Sequence, residues 1–264
     1  MVLLLAALAL RVTAEAPQGG VIHIDEAPES AATAALGASP AVRLFPAPDG
    51  TRHGLVPVNH NVAPGEYKLT LRGPDGKPVH TATVQVLDAR FLTQNILATR
   101  AMKSLKPAPG EMETMRAFQT SVTEQNLREE NFAPPVTSCV NSPFGVTRLH
   151  NGKPTGNYHR GLDQASRAGA PIHAAASGRV KVARMWTMHG GTVGIDHGQG
   201  LTSHYLHMSR VIAKEGQLVR QGDVIGLVGS TGFATGPHLH WGIYLFSVPL
   251  NPRLWVPELK SCRE

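Results

Sequence analysis

The sequence predicts a mostly β protein, with a small β-sandwich-like domain, a partly helical connector and a C-terminal β-sheet domain. Three observations support this class. Only 17% of the 264 residues are charged, 27 Gly and 20 Pro supply turns, and apolar residues alternate with polar ones over short runs. A chain of this length has room for one or two domains with a sizeable core.

The first 16 residues are predicted to be a signal peptide. Residues 2–10 are apolar, and Ala14, Glu15 and Ala16 have the small-x-small form of a cleavage site. Nine apolar residues are too few to span a bilayer, which needs about 20. We therefore expect export to the periplasm or the extracellular cell envelope, with no transmembrane segment.

Residues 17–90 are predicted to form the β-sandwich-like accessory domain. Residues 67–71 alternate, Gly-Pro-Asp-Gly at 73–76 favours a turn, and residues 79–86 alternate again. This pattern is typical of a β-hairpin. Short strands at such spacing favour a small sandwich, immunoglobulin-like in type.

Residues 91–137 are predicted to be a partly helical connector between the two domains. The helix is expected over residues 111–127, where apolar side chains recur at helical spacing. These side chains are predicted to form a packing face: Met112, Met115, Phe118 and Val122.

Residues 138–264 are predicted to form the C-terminal β domain. Strands are expected at 178–183, 192–196 and 201–206, and a hairpin at 216–226. The hairpin alone would also suit a biotinyl or lipoyl carrier domain. A carrier needs a lysine at a hairpin tip, whereas Lys181 lies between two valines of a strand, which argues against that alternative.

Two histidines one residue apart, His238 and His240, indicate a site. The residues that follow them, 243–246, favour a strand. Side chains at positions i and i+2 of a strand point to the same side, so both imidazoles are expected to face one site.

A second cluster, His159 and Asp163, offers one nitrogen and one carboxylate oxygen. Three protein ligands with water as the fourth are typical of catalytic zinc, and two His with one Asp fit that set. A Cys-rich structural site is excluded because the sequence has two Cys and no C-x-x-C. His204 and His207 lie three apart on a predicted strand, so at most one of them faces the site, and spacing does not say which.

These motifs together resemble the LytM-type (lysostaphin-like, M23 family) zinc metallopeptidases that cut peptidoglycan. Residues 142–256 carry the resemblance. The matching segments are His-Arg-Gly-Leu-Asp at 159–163, Gly-Ile-Asp-His-Gly at 194–198, Tyr-Leu-His-Met-Ser at 205–209, and Gly-Ser-Thr-Gly followed by Thr-Gly-Pro-His-Leu-His within 229–240.

The resemblance implies that His159, Asp163 and His240 bind zinc, and that His207 and His238 are catalytic. It implies a zinc-dependent endopeptidase that hydrolyses peptide cross-links or stems of peptidoglycan. The bond and the order of proton transfers stay open. Since some family members are catalytically silent activators of other wall hydrolases, and flanking segments can make an enzyme latent, those alternatives also stay open.

The remaining histidines of this region are assigned no catalytic part. His204 stands where the family has an apolar residue, and His197 is expected to be structural. His173 and His189 are expected to be surface or packing residues.

Charge and cysteine content complete the prediction. A net charge of +6 suits an anionic partner such as the cell wall. The sequence has no Lys/Arg stripe of the kind that binds nucleic acid, so nucleic acid is not expected as a partner. Cys139 and Cys262 flank the C-terminal domain, and export to an oxidising compartment favours a bridge between them over two free thiols. Oligomeric state is not predicted.

Overall fold

The computed structural model describes residues 10–128 and 130–262. The chain divides into two compact units, Met1–Ala89 and Arg90–Glu264. In the described part of the chain, no helix combines the length and the apolar character that crossing a membrane requires. The mostly β prediction is confirmed.

The predicted signal peptide overlaps the beginning of the N-terminal unit. Residues 1–9 lie outside the described residues, but Arg11–Val12 and Glu15–Pro17 are strands and Ala16 is buried. Cleavage after Ala16 would remove the first of these strands and two of the three residues of the second, so a signal peptide that ends there stays a prediction.

Two sheets build the described part of the N-terminal unit. Their strands are β1 (Arg11–Val12), β2 (Glu15–Pro17), β3 (Val21–Ala27), β4 (Thr33–Leu36), β5 (Val42–Arg43), β6 (Phe45–Pro46), β7 (Arg52–Pro57), β8 (Gly65–Arg72) and β9 (Pro78–Leu87). The strand orders are β1-β3-β7-β6 and β2-β9-β8-β4-β5. The predicted hairpin is confirmed, since β8 and β9 pair antiparallel. The immunoglobulin-like description stays a prediction.

The described residues of the C-terminal unit form two α-helices, a short 3-10 helix at Pro252–Leu254 and strands in three sheets. In chain order the other elements are β10 (Thr93–Ile96), α1 (Arg100–Ser104), α2 (Glu111–Thr120), β11 (Val140–Ser142), β12 (Thr147–His150), β13 (Lys153–Tyr158), β14 (Leu162–Ala165), β15 (Pro171–His173), β16 (Gly178–Met185), β17 (Gly191–Gly198), β18 (Leu201–Met208), β19 (Arg210–Val211), β20 (Leu218–Val219), β21 (Val224–Leu227), β22 (His238–Leu245) and β23 (Val248–Leu250).

The main sheet of this unit has the order β11-β14-β22-β18-β17-β16-β20, with β23 beside β22. Strand β22 lies between β14 and β18, and the antiparallel register sets Asp163 opposite His240. On the other side Leu206 lies opposite His240. The predicted site residues of three distant segments are therefore on adjacent strands.

Helix α2 packs on this sheet, and it differs from the predicted helix, 111–127, in its end and in its buried face. It ends at Thr120, and its buried residues are Glu111, Met115 and Phe118, at i, i+4 and i+7. Met112 and Val122, predicted to belong to the packing face, are 49% and 42% exposed. The prediction was wrong at Met112 because a polar residue, Glu111, occupies the first position of the buried face, and at Val122 because the helix ends before that residue.

The predicted hairpin at 216–226 is also wrong. Strand β20 pairs with β16, whereas β21 pairs with β15 and β19 in another sheet. A turn closed by the Asp223 N–H donating to the Arg220 carbonyl at 3.1 Å sends the chain from one sheet to the other. Local turn chemistry does not distinguish such a crossing from a hairpin.

The predicted disulfide is confirmed: Cys139 and Cys262 are bonded, 123 residues apart in sequence. Backbone hydrogen bonds beside it join the same two segments, with Val140 N donating to Lys260 O and Cys262 N donating to Val140 O. The bridge therefore ties the segment before β11 to the end of the described chain.

Candidate active site

His159, Asp163 and His240 converge on one point. The Asp163 Oδ1 atom lies 3.0 Å from His159 Nε2 and 2.9 Å from His240 Nδ1. The two imidazole nitrogens lie 2.9 Å apart. The three atoms thus form a nearly equilateral triangle, the arrangement of three ligands around one ion.

The hydrogen bonding of the His159 ring fits a metal ligand. Its Nδ1–H donates to the Pro143 carbonyl at 2.9 Å, so Nε2, which faces Asp163 and His240, carries the lone pair. Zinc bonds to nitrogen or carboxylate oxygen are about 2.0–2.1 Å, which places tetrahedral ligand atoms about 3.3 Å apart. Two imidazoles and one carboxylate at this spacing fit a zinc ion.

The charges of these groups favour the same ion. Burial acts to raise the pKa of Asp163, but His159 and His240 outweigh it and hold that pKa well below its ordinary value. Burial lowers the pKa of His240 to about 4. An ionised carboxylate and a neutral imidazole are the forms that ligate metals.

His207 and His238 lie beside the three ligands, with their rings 5.0 Å apart. In each ring Nδ1–H donates to a backbone carbonyl at 2.8 Å, that of Thr231 for His207 and of Gly236 for His238. Each Nε2 therefore carries the lone pair. Burial lowers the pKa of His207 to about 3, which keeps this imidazole neutral.

A cavity of about 220 Å³ brings all five predicted site residues together. Its other lining residues include Ile96, Met102, Tyr158 and Phe233, so apolar and aromatic side chains line the cavity together with the site residues. A polar recess of about 380 Å³ shares Arg148, Asp163 and His238 with it.

His197 and His189 have structural contacts. The buried His197 lies at the end of β17, where its Nδ1–H donates to the Ser177 carbonyl and Nε2 accepts from the Ser203 hydroxyl, both at 2.7 Å. His189 is half-buried, and its Nδ1 lies 2.6 Å from a carboxylate oxygen of Glu111. His173 is half-buried in β15.

Hydrogen bonds connect Glu111 to His207 through the backbone of His189. Glu111 accepts hydrogen bonds from the backbone N–H groups of Met188 and His189 at 3.0 and 2.8 Å, and the His189 carbonyl accepts from His207 N at 3.0 Å. His207 has a φ of 65°, a conformation that its neighbours must hold in place. Helix α2 therefore supports the backbone of a predicted catalytic residue.

His204 lies on the opposite side of β18 from His207. Its ring stacks on Tyr244 at 4.3 Å and lies 4.9 Å from Phe118, and its Nε2 is buried without a hydrogen-bond partner among the described residues. This contact explains why an apolar residue suits the position, and it places His204 outside the site.

We expect the His204→Phe variant to be more stable than wild type by about 1–3 kcal/mol, since a buried unsatisfied nitrogen is removed while ring stacking is kept. Burial holds the pKa of His204 well below 6.5, so the unfolded state takes up the proton first and stability falls as pH drops below about 6.5. The gain should grow in that range.

Urea unfolding on both sides of that pH measures the effect. His197→Phe is the matched control, because it also replaces a buried imidazole but removes two hydrogen bonds, and it is expected to be destabilising. A His204→Phe variant that is less stable than wild type at both pH values would contradict this account of His204.

Three residues that support the site through hydrogen bonds have no counterpart in the sequence prediction. Arg148 donates to Asp163 Oδ2 at 3.4 Å and to Gln94 Oε1 at 2.6 Å. Glu111 accepts hydrogen bonds from the backbone of Met188 and His189, whose loop contacts His207. The segments that contain Gln94 and Glu111 carry no motif. A signal existed for Glu111 alone, as an acidic residue at the start of a predicted helix.

Comparison with known proteins places these residues in a family. The model of peptidase family M23 matches residues 157–252. The DD-carboxypeptidase/endopeptidase Mpg of Neisseria meningitidis serogroup B is 40% identical over 132 residues, 49% of this chain and 30% of that protein. The peptidoglycan DD-endopeptidase ShyC of Vibrio cholerae is 39% identical over 123 residues, 46% of this chain and 28% of that protein.

Similarity to a solved structure extends further along the chain. A Pseudomonas aeruginosa protein described as an M23 peptidase is 28% identical, with a TM-score of 0.66 over 90% of this chain and 93% of that one. The chain spans less than a third of the length of the two curated relatives above. Within the C-terminal unit, residues 157–252 therefore match the model of peptidase family M23.

Proposed function

We propose that this protein is a zinc-dependent endopeptidase that hydrolyses peptide cross-links or stems of peptidoglycan. One observation carries the proposal: a ligand triangle of His159, Asp163 and His240 lies beside two histidines whose Nε2 lone pairs are available. This set combines a metal site with groups that transfer protons, as hydrolysis of an amide requires.

His207 and His238 are proposed to handle the protons. When bound, zinc supplies a water whose pKa is near 7 and a charge that polarises the peptide carbonyl. A neutral imidazole can accept a proton from the attacking water through Nε2, and the imidazolium that results can donate this proton to the leaving amine or to the oxygen that becomes negative. Because both rings are anchored through Nδ1, each acts through Nε2.

A DD-peptide bond of peptidoglycan is the proposed target. The names of the two curated relatives support this choice. One is named a DD-carboxypeptidase/endopeptidase and the other a peptidoglycan DD-endopeptidase. A net charge of +6 favours association with an anionic wall. Such a substrate implies a location in the cell envelope, reached by the export predicted from the sequence.

Release of dye from labelled, purified peptidoglycan tests the proposal. Wild type should release dye, a chelator should abolish release, and zinc should restore it. His238→Ala should be slower by about 10²–10⁴-fold, the usual contribution of a general acid or base. Wild-type release that persists after complete removal of metal would contradict zinc dependence.

The same assay separates an enzyme from a catalytically silent activator. A silent activator would bind zinc and the wall but release no dye. No observation among the described residues favours this alternative, because all three ligands and both histidines face one cavity.

A further inference from the structure

We propose that Gln94 is a positioning residue of the metal site, supplied by a strand outside the matched M23 segment. This inference rests on the proposed zinc site. Gln94 lies half-buried in β10, and its single Oε1 atom accepts two hydrogen bonds. One comes from Arg148 Nη1 at 2.6 Å and the other from the Ser142 hydroxyl at 2.7 Å.

Each of the two donors also contacts a different metal ligand. Arg148 Nη2 donates to Asp163 Oδ2 at 3.4 Å, and Ser142 Oγ lies 3.2 Å from His159 Nδ1. Arg148 is 9% exposed and Ser142 is 3% exposed, so water has little access to replace a lost partner. The Gln94 oxygen therefore links the outer contacts of two of the three ligands.

The contact to Asp163 decides which carboxylate oxygen faces the metal. Arg148 holds Oδ2, and this leaves Oδ1 directed at His159 and His240, 2.9–3.0 Å away. Without the Gln94 oxygen, the Arg148 guanidinium loses one hydrogen bond and is freer to rotate. Such outer contacts fix the orientation of metal ligands and typically change metal affinity by about 10–100-fold.

The backbone delivers Gln94 to this position. Strand β10 pairs parallel with β12, with Gln94 directly opposite Arg148, and β12 pairs in turn with β13. The M23 match covers residues 157–252, so β10 lies well before it. The strand that begins four residues after Ala89 thus takes part in holding the zinc site.

Zinc affinity of the full chain, measured by competition with a chromophoric chelator, tests the proposal without using hydrolysis. Gln94→Ala should bind zinc about 10–100-fold more weakly. Gln94→Glu keeps an oxygen acceptor for both donors and should stay close to wild type. Asn95→Ala is the matched control, since the Asn95 side chain on the same strand accepts from Gly152 N at 2.8 Å, whereas the Gln94 side chain accepts from Arg148.

The outcomes distinguish the proposal from its alternatives. Wild-type affinity in Gln94→Ala would overturn it, as would an equal loss in Gln94→Glu. An equal loss in Asn95→Ala would mean that docking of the strand, and not the Gln94 oxygen, is what matters. If wild type binds zinc but releases no dye from peptidoglycan, the proposed function fails while this inference stands.

Discussion

His159→Ala is expected to lose the bound zinc and, with it, all hydrolysis of peptidoglycan above background. The variant removes one corner of the ligand triangle and leaves Asp163 and His240, too few to hold a catalytic ion tightly. His207→Ala is expected to keep zinc at one ion per chain and to lose about 10²–10⁴-fold in rate, because it removes a proton-transfer group only.

Metal content by mass spectrometry and dye release, measured on the same samples, separate the two roles. His173→Ala is the control, since that histidine is half-buried in β15 and does not line the cavity. Unchanged zinc content in His159→Ala would refute its role as a ligand. Near wild-type turnover in His207→Ala would remove that residue from the mechanism.

A truncated chain that begins at Ser138 is expected not to fold cooperatively, whereas one that begins at Arg90 is expected to fold. The shorter chain lacks Phe118 and Phe132, each 5% exposed, and loss of a buried Phe costs about 3–5 kcal/mol. Two such losses are comparable to the whole stability of a typical domain, about 5–15 kcal/mol.

The point variant Phe118→Ala tests the same contact within the full chain. It should reduce the free energy of unfolding by about 3–5 kcal/mol, while Met112→Ala on the exposed side of α2 should change it little. Denaturant unfolding measures both. A chain from Ser138 that unfolds cooperatively, with wild-type stability, would show that α2 is dispensable for the catalytic unit.

Local patterns in the sequence predict much of this fold. Alternation predicts β8 and β9, because side-chain period follows directly from strand geometry. The strand-like segments 178–183, 192–196 and 201–206 likewise predict β16, β17 and β18. The partners of β20 and β21 are not predicted, since a turn between short strands does not specify which sheet each joins. The buried face of α2 is misjudged because Glu111 is buried through hydrogen bonds that composition does not reveal.

The site follows a similar division. The spacing and chemistry of His159, Asp163, His238 and His240 predict that they belong to a site. The choice of His207 over His204, and the division into ligands and catalytic histidines, come from the family resemblance alone. Gln94 is missed because glutamine is common at positions without any function, and because its hydrogen-bond partner Arg148 is 54 residues away in sequence. The proposed role of Gln94 depends on the parallel pairing of β10 with β12, and no local sequence pattern predicts that pairing.

Digestion of purified cross-linked muropeptide dimers, followed by mass spectrometry of the products, tests the central claim most directly. Zinc-loaded wild type should convert each dimer into two fragments whose masses together equal the dimer plus one water, and zinc-loaded His238→Ala should be far slower. Dimers that stay intact with the zinc-loaded wild type would contradict the account.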